Sequence, residues 1–462
     1  MDRTDTIWDT AAVRAAIGTG ECGAIVRAVR RANNLTLADL AELCNYSVST
    51  LSRLERGKQQ LSDVRVLRSL ADALGIPAQL LGLSDTITLP VHMGHQAAMV
   101  GVNPASDEET DPMRRRTLLT GLTSLAGAAA LGAPELPMAT ALPLGQLEQV
   151  LLLPPADGIP IDLPRLAQEL HTARAAFDLG RYTEVATRLP GLLTTTFATL
   201  EEANGDSIAA SNVLLSQAYS LASRLMVKLS HDQLAWTTAD RAVHTAYASD
   251  DILAQAAARR VWAIVLRRAG HSTTAHQLII NTATALQPHL ARGVPYLTAY
   301  GFLLSTAAYT AAVDGDRHTA QSLIGEAIDT ATRLDGTQGT SPTSFGPMSV
   351  DLYRISMARV LGDSGTAIEA AKRINPADIP KPESQARYWS DVARAFHQWG
   401  KPEDCYRALL AAEHAAPDEV RYRKPIQQIT TSLLRNPAAR AMPGLQAFAK
   451  RTGATSVPTS NH

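Results

Sequence analysis

The stretch LTLADLAELCNYSVSTLSRLERGKQQLS, residues 35–62, decides how the chain begins to fold. Thr36 reads as an N-cap and Asp39, three positions on, as its capping-box partner, so each satisfies a backbone donor of the other and a helix starts there. Leu40, Ala41 and Leu43 give that helix an apolar face, and Asn45 is suited to the left-handed conformation that ends it. Ser47 caps a second short helix with Leu51 and Leu54 inside, and Gly57 stops it. Two short helices joined by a tight turn make a helix-turn-helix, whose second helix enters the DNA major groove by its N-terminal half.

With Leu51 and Leu54 turned inward, helical phase turns Val48, Ser49, Ser52 and Arg53 outward as the groove-facing set. Arg53 has the fork geometry to pair bidentately with a guanine edge, worth about 1–3 kcal/mol of discrimination, and Val48 suits a thymine methyl. Arg56, Lys58 and Gln59, just past the helix, are placed for phosphates, as are Thr36 and Ser47 with the helix N-terminal amides. The flanks complete a core. GAIVRAVRRAN, residues 23–33, sets Ile25, Val26 and Val29 against Arg27, Arg30 and Arg31, an amphipathic helix. DVRVLRSLADAL, residues 63–74, and a short helix from Pro77 close it.

Residues 23–83 resemble the lambda-repressor/Cro-type (XRE family) helix-turn-helix. The resemblance rests on Leu-Ala before the turn, Ser-x-Ser-Thr-x-Ser-Arg-x-Glu-Arg-Gly after it, and then Leu-x-x-Leu-Ala-x-Ala-Leu-Gly. It implies binding to double-stranded operator DNA. One position departs: where the family often carries a glutamine that reaches the DNA edge, this chain has Leu37, which narrows base reading toward the second helix. From 21 to 83, eight Arg and Lys stand against six Asp and Glu. So small a balance makes a single module a weak binder at physiological salt and predicts a homodimer on a palindromic operator.

At 462 residues with 45% apolar content the chain needs more than one core. The formal net charge of −1 supplies no global basic field, so any DNA face is local. Cys22, Cys44 and Cys405 lack the spacing of a disulfide framework, a metal site or a thiol active site, and read as free thiols in a reducing cytosol. Phosphate-loop, zinc-protease and nucleophile-elbow motifs do not occur, so neither catalysis, metal nor cofactor is expected. The expected location is cytoplasmic, since residues 1–20 form a leader without an apolar stretch. The domain order is then that leader, a five-helix helix-turn-helix domain over 21–83, a Pro-containing linker over 84–158, a helical repeat domain over 159–450 and a disordered tail over 451–462. Within the linker, 114–133 is an apolar small-residue segment behind Arg114, Arg115 and Arg116. It has the grammar of a twin-arginine export signal but lies deep in the chain, and reads as a helix that packs on the repeats or on a second subunit.

The repeat domain announces itself by joints at Gly180, His231, Gly270, Gly315, Gly362 and Gly400. Val185, Trp236, Ala275, Ala320, Ala367 and Cys405 follow five positions later, and Ala173, Ala263, Ala308 and Ala393 precede four of the joints by seven. Small residues at those phases let paired helices approach closely, which is tetratricopeptide (TPR) logic, and six pairs make an all-α solenoid with a concave face. FGPMSVDLYRISMARVLGD and ARYWSDVARAFHQWGKPEDCYRALLAAEHAAPDEVRYR resemble the C-terminal part of actinobacterial regulators that join an XRE-type domain to TPR-like repeats. Their better-known architectural analogues, the RRNPP regulators, bind signalling peptides in the repeat groove and change dimer geometry on DNA, and the resemblance implies such sensing here. Residues about 10, 6 and 3 positions before each joint should face the groove: Arg174, Arg260, Arg267, Ser305, Tyr309, Arg359, Arg387, Arg394 and His397. Their recurring arginines suit an acidic or carboxylate-bearing peptide or small molecule, and equally suit pairing with acids of neighbouring helices. DGTQGTSPTSFGP, residues 335–347, is long for a helix joint and suits a cover for the groove and a floppy insertion equally. The chain therefore reads as a ligand-responsive transcriptional regulator. The alternative is an adaptor whose groove holds a protein partner, with DNA contact secondary.

Overall fold

The computed structural model describes residues 7–8, 10–19, 21–44, 46–57, 64–81, 142, 144–153, 158–335 and 345–454. Among these residues every regular element is a helix. The N-terminal domain comprises α1 (Ala11–Thr19), α2 (Cys22–Ala32), α3 (Leu37–Cys44), α4 (Val48–Glu55), α5 (Val64–Leu74) and a 3-10 turn at Ala78–Leu81. Thr36 and Asp39 form the expected capping box, with Thr36 N–H to Asp39 at 2.7 Å and Asp39 N–H to Thr36 Oγ1 at 3.1 Å. Ser47 caps α4 by accepting from Thr50 N–H at 3.2 Å. Leu40, Leu51, Leu54, Leu67 and Leu70 meet Ile25, Val26 and Val29 in one core.

Three details of this domain differ from the sequence reading. The leader is part of the core: Val13 is fully buried there, because α1 lays its apolar side on α2. Leu43 is 58% exposed, and Cys44 takes the inward place on α3. Arg30, assigned to the polar face of α2, is buried, because Glu55 on α4 receives it bidentately (2.5 and 2.8 Å) while its third nitrogen donates to Leu35 O at 2.6 Å. That pair pins α2 to α4, and a planar fork matched to a carboxylate is what makes the burial of both charges tolerable.

The body begins earlier than composition implied. α6 (Leu144–Leu152), inside the expected linker, buries Leu147 and Leu151 in the first core of the repeats. Six antiparallel pairs follow: α7 (Leu163–Asp178) with α8 (Tyr182–Glu201), α9 (Asp206–Lys228) with α10 (Asp232–Ala248), α11 (Ile252–Arg268) with α12 (Ser272–Leu286), α13 (Val294–Val313) with α14 (Arg317–Asp335), α15 (Pro347–Val360) with α16 (Ser364–Lys372), and α17 (Pro382–Gln398) with α18 (Pro402–Ala415). α19 (Pro417–Arg421), α20 (Lys424–Arg435) and α21 (Leu445–Arg451) finish the described chain. The expected tail starts later than position 451, since Thr452 and Ala454 are buried; 455–462 and the 114–133 segment lie outside the described residues, as does Asn45.

The pair joints obey one rule. Gly180, Gly270, Gly315, Gly362 and Gly400 have φ between 71° and 87°, and the second pair turns on Ser230 (φ 57°) rather than on His231. A left-handed residue ends the first helix and aims the chain back along it. Counted from Ser230, the residue five on is Ala235, 1% exposed, while Trp236 is 37% exposed and lies edge-on to Trp262. Seven before it stands Ser223, fully buried, whose hydroxyl donates to Ala235 O at 3.0 Å across the pair. All six positions at +5 are then buried: Val185, Ala235, Ala275, Ala320, Ala367 and Cys405.

The last pair closes on the first. Glu419 of α19 accepts from Lys228 at 3.0 Å and from Arg423 at 2.6 Å, and Tyr182 at the start of α8 donates to it. Asp418 accepts from Thr183 N–H at 3.1 Å, and Lys381 reaches Asp178 at 2.9 Å. Burial works to raise the Glu383 carboxyl, but Lys228 at 2.6 Å and Arg387 outweigh it and hold the group well below the ordinary range. The expected open concave groove is therefore closed into a central cavity.

Candidate nucleic-acid interface and central cavity

Helical phase on α4 works as expected within its own domain: Leu51 and Leu54 are buried in the helix-turn-helix core, and Val48 is 46% exposed. The outward face is then divided by the repeat body. Thr36, Ser49 and Arg56 are exposed, and Leu37, Ser47 and Ser52 are half-buried. Arg56 folds back on Ser52, donating to its carbonyl at 2.9 Å and its hydroxyl at 2.7 Å. Lys58 and Gln59 lie outside the described residues.

Arg53 does not face solvent. It is 8% exposed, with its guanidinium 3.9 Å from the ring centre of Trp399, just past the end of α17. Burial lowers its pKa, against the opposing pull of Asp363. The sequence reading placed Arg53 outward correctly with respect to α4, but could not place Trp399 opposite it.

Asp363, the N-cap of α16, is the centre of this contact and is 2% exposed. Its carboxylate accepts from Ser47 N–H at 2.9 Å, Ser47 O–H at 3.2 Å and Thr50 O–H at 2.7 Å, and also from Thr366 N–H at 3.1 Å. One carboxylate thus serves the N-termini of two helices, where backbone donors and the helix dipole favour negative charge. Beside it Tyr46 donates to Leu361 O at 2.6 Å, and Arg317 lies 4.0 Å over the Tyr46 ring. Gly365 completes the fit: a Cβ there would stand 2.8 Å from Arg53, 2.9 Å from Ser49 Oγ and 3.0 Å from Thr50 Oγ1. Neither Asp363 nor Gly365 carried a sequence signal for this role. Both sit at an ordinary helix joint, where Asp363 already caps α16, and only the docked domain gives them a partner on α4.

The central cavity, about 590 Å³, is lined by the first helix of every pair. Of the nine residues expected to face the groove, Arg260, Arg267, Tyr309, Arg359, Arg387 and Arg394 line it. Three do not. Arg174 lies beside the cavity, near Arg224 and Asp178. Ser305 is fully buried between helices, and His397 is turned to Ser432 at 3.1 Å. The spacing rule also missed Arg224, Lys228, Phe302 and Tyr353. From the long 335–347 joint, Phe345 turns in against Phe302 (ring centres 5.2 Å apart) and, with Gly346 and Pro347, walls the cavity. Residues 336–344 lie outside the described residues.

A family model described as a helix-turn-helix domain matches residues 21–82. The N-terminal unit is thus a helix-turn-helix DNA-binding domain, with α3 and α4 as its two motif helices. Neither a curated protein nor a solved structure matches the chain. Among the described residues no helix is long and apolar enough to cross a membrane.

Proposed function

We propose that this chain is a transcriptional regulator of the XRE type whose TPR-like body holds its own DNA-reading helix in a closed state. It binds a palindromic operator as a homodimer once that hold is released by a signal in the cavity. One observation carries the reading: Asp363 takes the Ser47 N–H and the Ser47 and Thr50 hydroxyls at the head of α4. A DNA phosphate at a helix N-terminus draws on the same donors. Asp363 therefore stands in for an operator phosphate, and Trp399 covers the arginine suited to read a base.

The occlusion is reversible on physical grounds. The seam is made of a few hydrogen bonds, two cation–π stacks and a small-residue fit, while each domain keeps its own core. Asp363→Asn keeps a competent N-cap for α16 and removes the charge. Sequences selected from random DNA, then titrated by anisotropy at fixed salt, should bind the variant more tightly than the parent. If neither protein enriches any sequence, the regulator reading is wrong. Sedimentation of the DNA complex tests the homodimer.

A further inference from the structure

The central cavity holds more positive charge than its acids neutralise. Ten Arg and Lys side chains line it against three carboxylates. Several of these cations have acidic partners: Lys228 with Glu383 and Glu419, Arg423 with Glu419, Arg268 with Asp232, Arg359 with Asp391 and Lys381 with Asp178. Arg224, Arg260, Arg267 and Arg387 differ. Among the described residues none of these four forms a salt bridge; each lies against an aromatic ring, respectively Phe177, Phe302, Tyr309 and Tyr353, at 4.2 to 5.6 Å from its centre. Arg260 and Arg267 reach only toward hydroxyls, of Thr306 at 3.4 Å and Thr310 at 3.2 Å.

These groups feel one another. Burial lowers the Arg260 pKa; Tyr353 opposes this, while Arg224 and Arg387 push it further down. Burial works to raise the Tyr353 phenol, but Arg260 and Arg387 outweigh it and its pKa falls below the ordinary value. Like charges gathered in a low-dielectric space repel strongly, and an anion placed among them relieves that repulsion while accepting bidentate bonds.

We propose that Arg224, Arg260, Arg267 and Arg387, with Tyr353, form a binding site for a small organic anion that carries a phosphate or paired carboxylates on a flat apolar body. The guanidiniums supply planar forks, and Phe302 and Phe345 supply an apolar wall. The volume is that of one drug-sized ligand. Because the last helix pair seals against the first, the space is a chamber for a compact molecule, not a furrow along which a peptide extends. Tyr353 and Arg387 sit on α15 and α17, whose C-terminal ends lead directly to Asp363 and Trp399. The site thereby deepens the regulatory reading, and rests on it for its link to DNA.

Calorimetry on the full-length chain with 1-naphthyl phosphate tests the site without DNA. One equivalent should bind; inorganic phosphate should bind more weakly and 1-naphthol not at all. Arg260→Gln and Arg387→Gln should each weaken binding by about tenfold or more, as expected for loss of a charge-assisted hydrogen bond. Without anion, Arg260→Gln should melt no lower than the parent, because burial and the neighbouring Arg224 and Arg387 disfavour that charge. A lowered Tm in Arg260→Gln would make that arginine structural and overturn the proposal, as would absent binding, binding indifferent to both substitutions, or tighter binding of an acidic tetrapeptide. Binding as described, with DNA affinity unchanged in Asp363→Asn, would uphold the site and remove its regulatory link.

Discussion

Gly365→Leu is the sharpest probe of the closed state, because it drives a wedge against α4 at the seam while leaving every residue of α4 and the Asp363 cap unaltered. A Cβ at this position already stands within 3.0 Å of atoms from Arg53, Ser49 and Thr50, and a leucine extends further the same way. The closing energy follows from what the seam contains. A hydrogen bond to a charged group contributes about 1.5–3 kcal/mol, and Asp363 receives three such bonds from the Ser47–Thr50 segment. The Arg53–Trp399 stack adds about 0.5–2 kcal/mol. Bonds that share one carboxylate are not additive, and ordering the seam costs entropy, so about 3 kcal/mol is a reasonable net figure. That closing energy lowers apparent DNA affinity about 150-fold, since only the open fraction binds. Gly365→Leu should recover most of that factor in an anisotropy titration at fixed ionic strength. Circular dichroism melting should show the repeat body intact, since leucine suits a helix and the wedge is relieved by the domain moving away. Should the variant retain its fold and bind a selected operator no more tightly than the parent, the closed-state reasoning fails.

Four further outcomes can be measured. Arg53→Ala removes the fork proposed to read a guanine and the Trp399 stack together, so operator and random DNA should bind alike even in a Gly365→Leu background; retained sequence preference in footprinting refutes that role for Arg53. Glu419→Ala leaves Lys228 and Arg423 without their shared carboxylate and should destabilise the repeat body by about 3–5 kcal/mol in urea unfolding. Lys228 and Arg387 hold the folded-state pKa of Glu383 below its unfolded value near 4.3 despite burial, so its contribution is present above that pH and lost as pH falls through the folded value. Glu383→Gln should flatten the acid limb of the stability profile. Burial pushes Cys44 up to about 11 and Cys405 up to about 12, so half-buried Cys22 should be alkylated first in the native chain at neutral pH.

Much of this architecture was legible in the residues. Caps, joints and inward leucines are local features, and local physics places them: Thr36 with Asp39, Ser47 ahead of α4, and glycines where the chain turns left-handed. The second joint was misplaced by one because a serine took the left-handed conformation, which glycine adopts far more readily. Arg30 was misread because its partner Glu55 lies 25 positions away, and helical phase alone cannot foresee a buried fork. The arginines of the inner helices were likewise visible as a recurring pattern, but not their division into paired and unpaired. That depends on acids such as Glu419, brought across by closure of the last helix pair on the first.

What the amino-acid sequence determined by itself was the identity of each unit: a short DNA-reading helix held from behind by leucines, and a series of helix pairs packed through small residues. Those follow from spacing within about ten positions, where the backbone leaves few choices. What only the tertiary structure decided was the state of the units. Tyr46 meets Leu361 across 315 positions of chain, and Ser47 meets Asp363 across 316. No periodicity encodes such a meeting, because it arises from how finished domains fit and from which charges are left facing each other once they do.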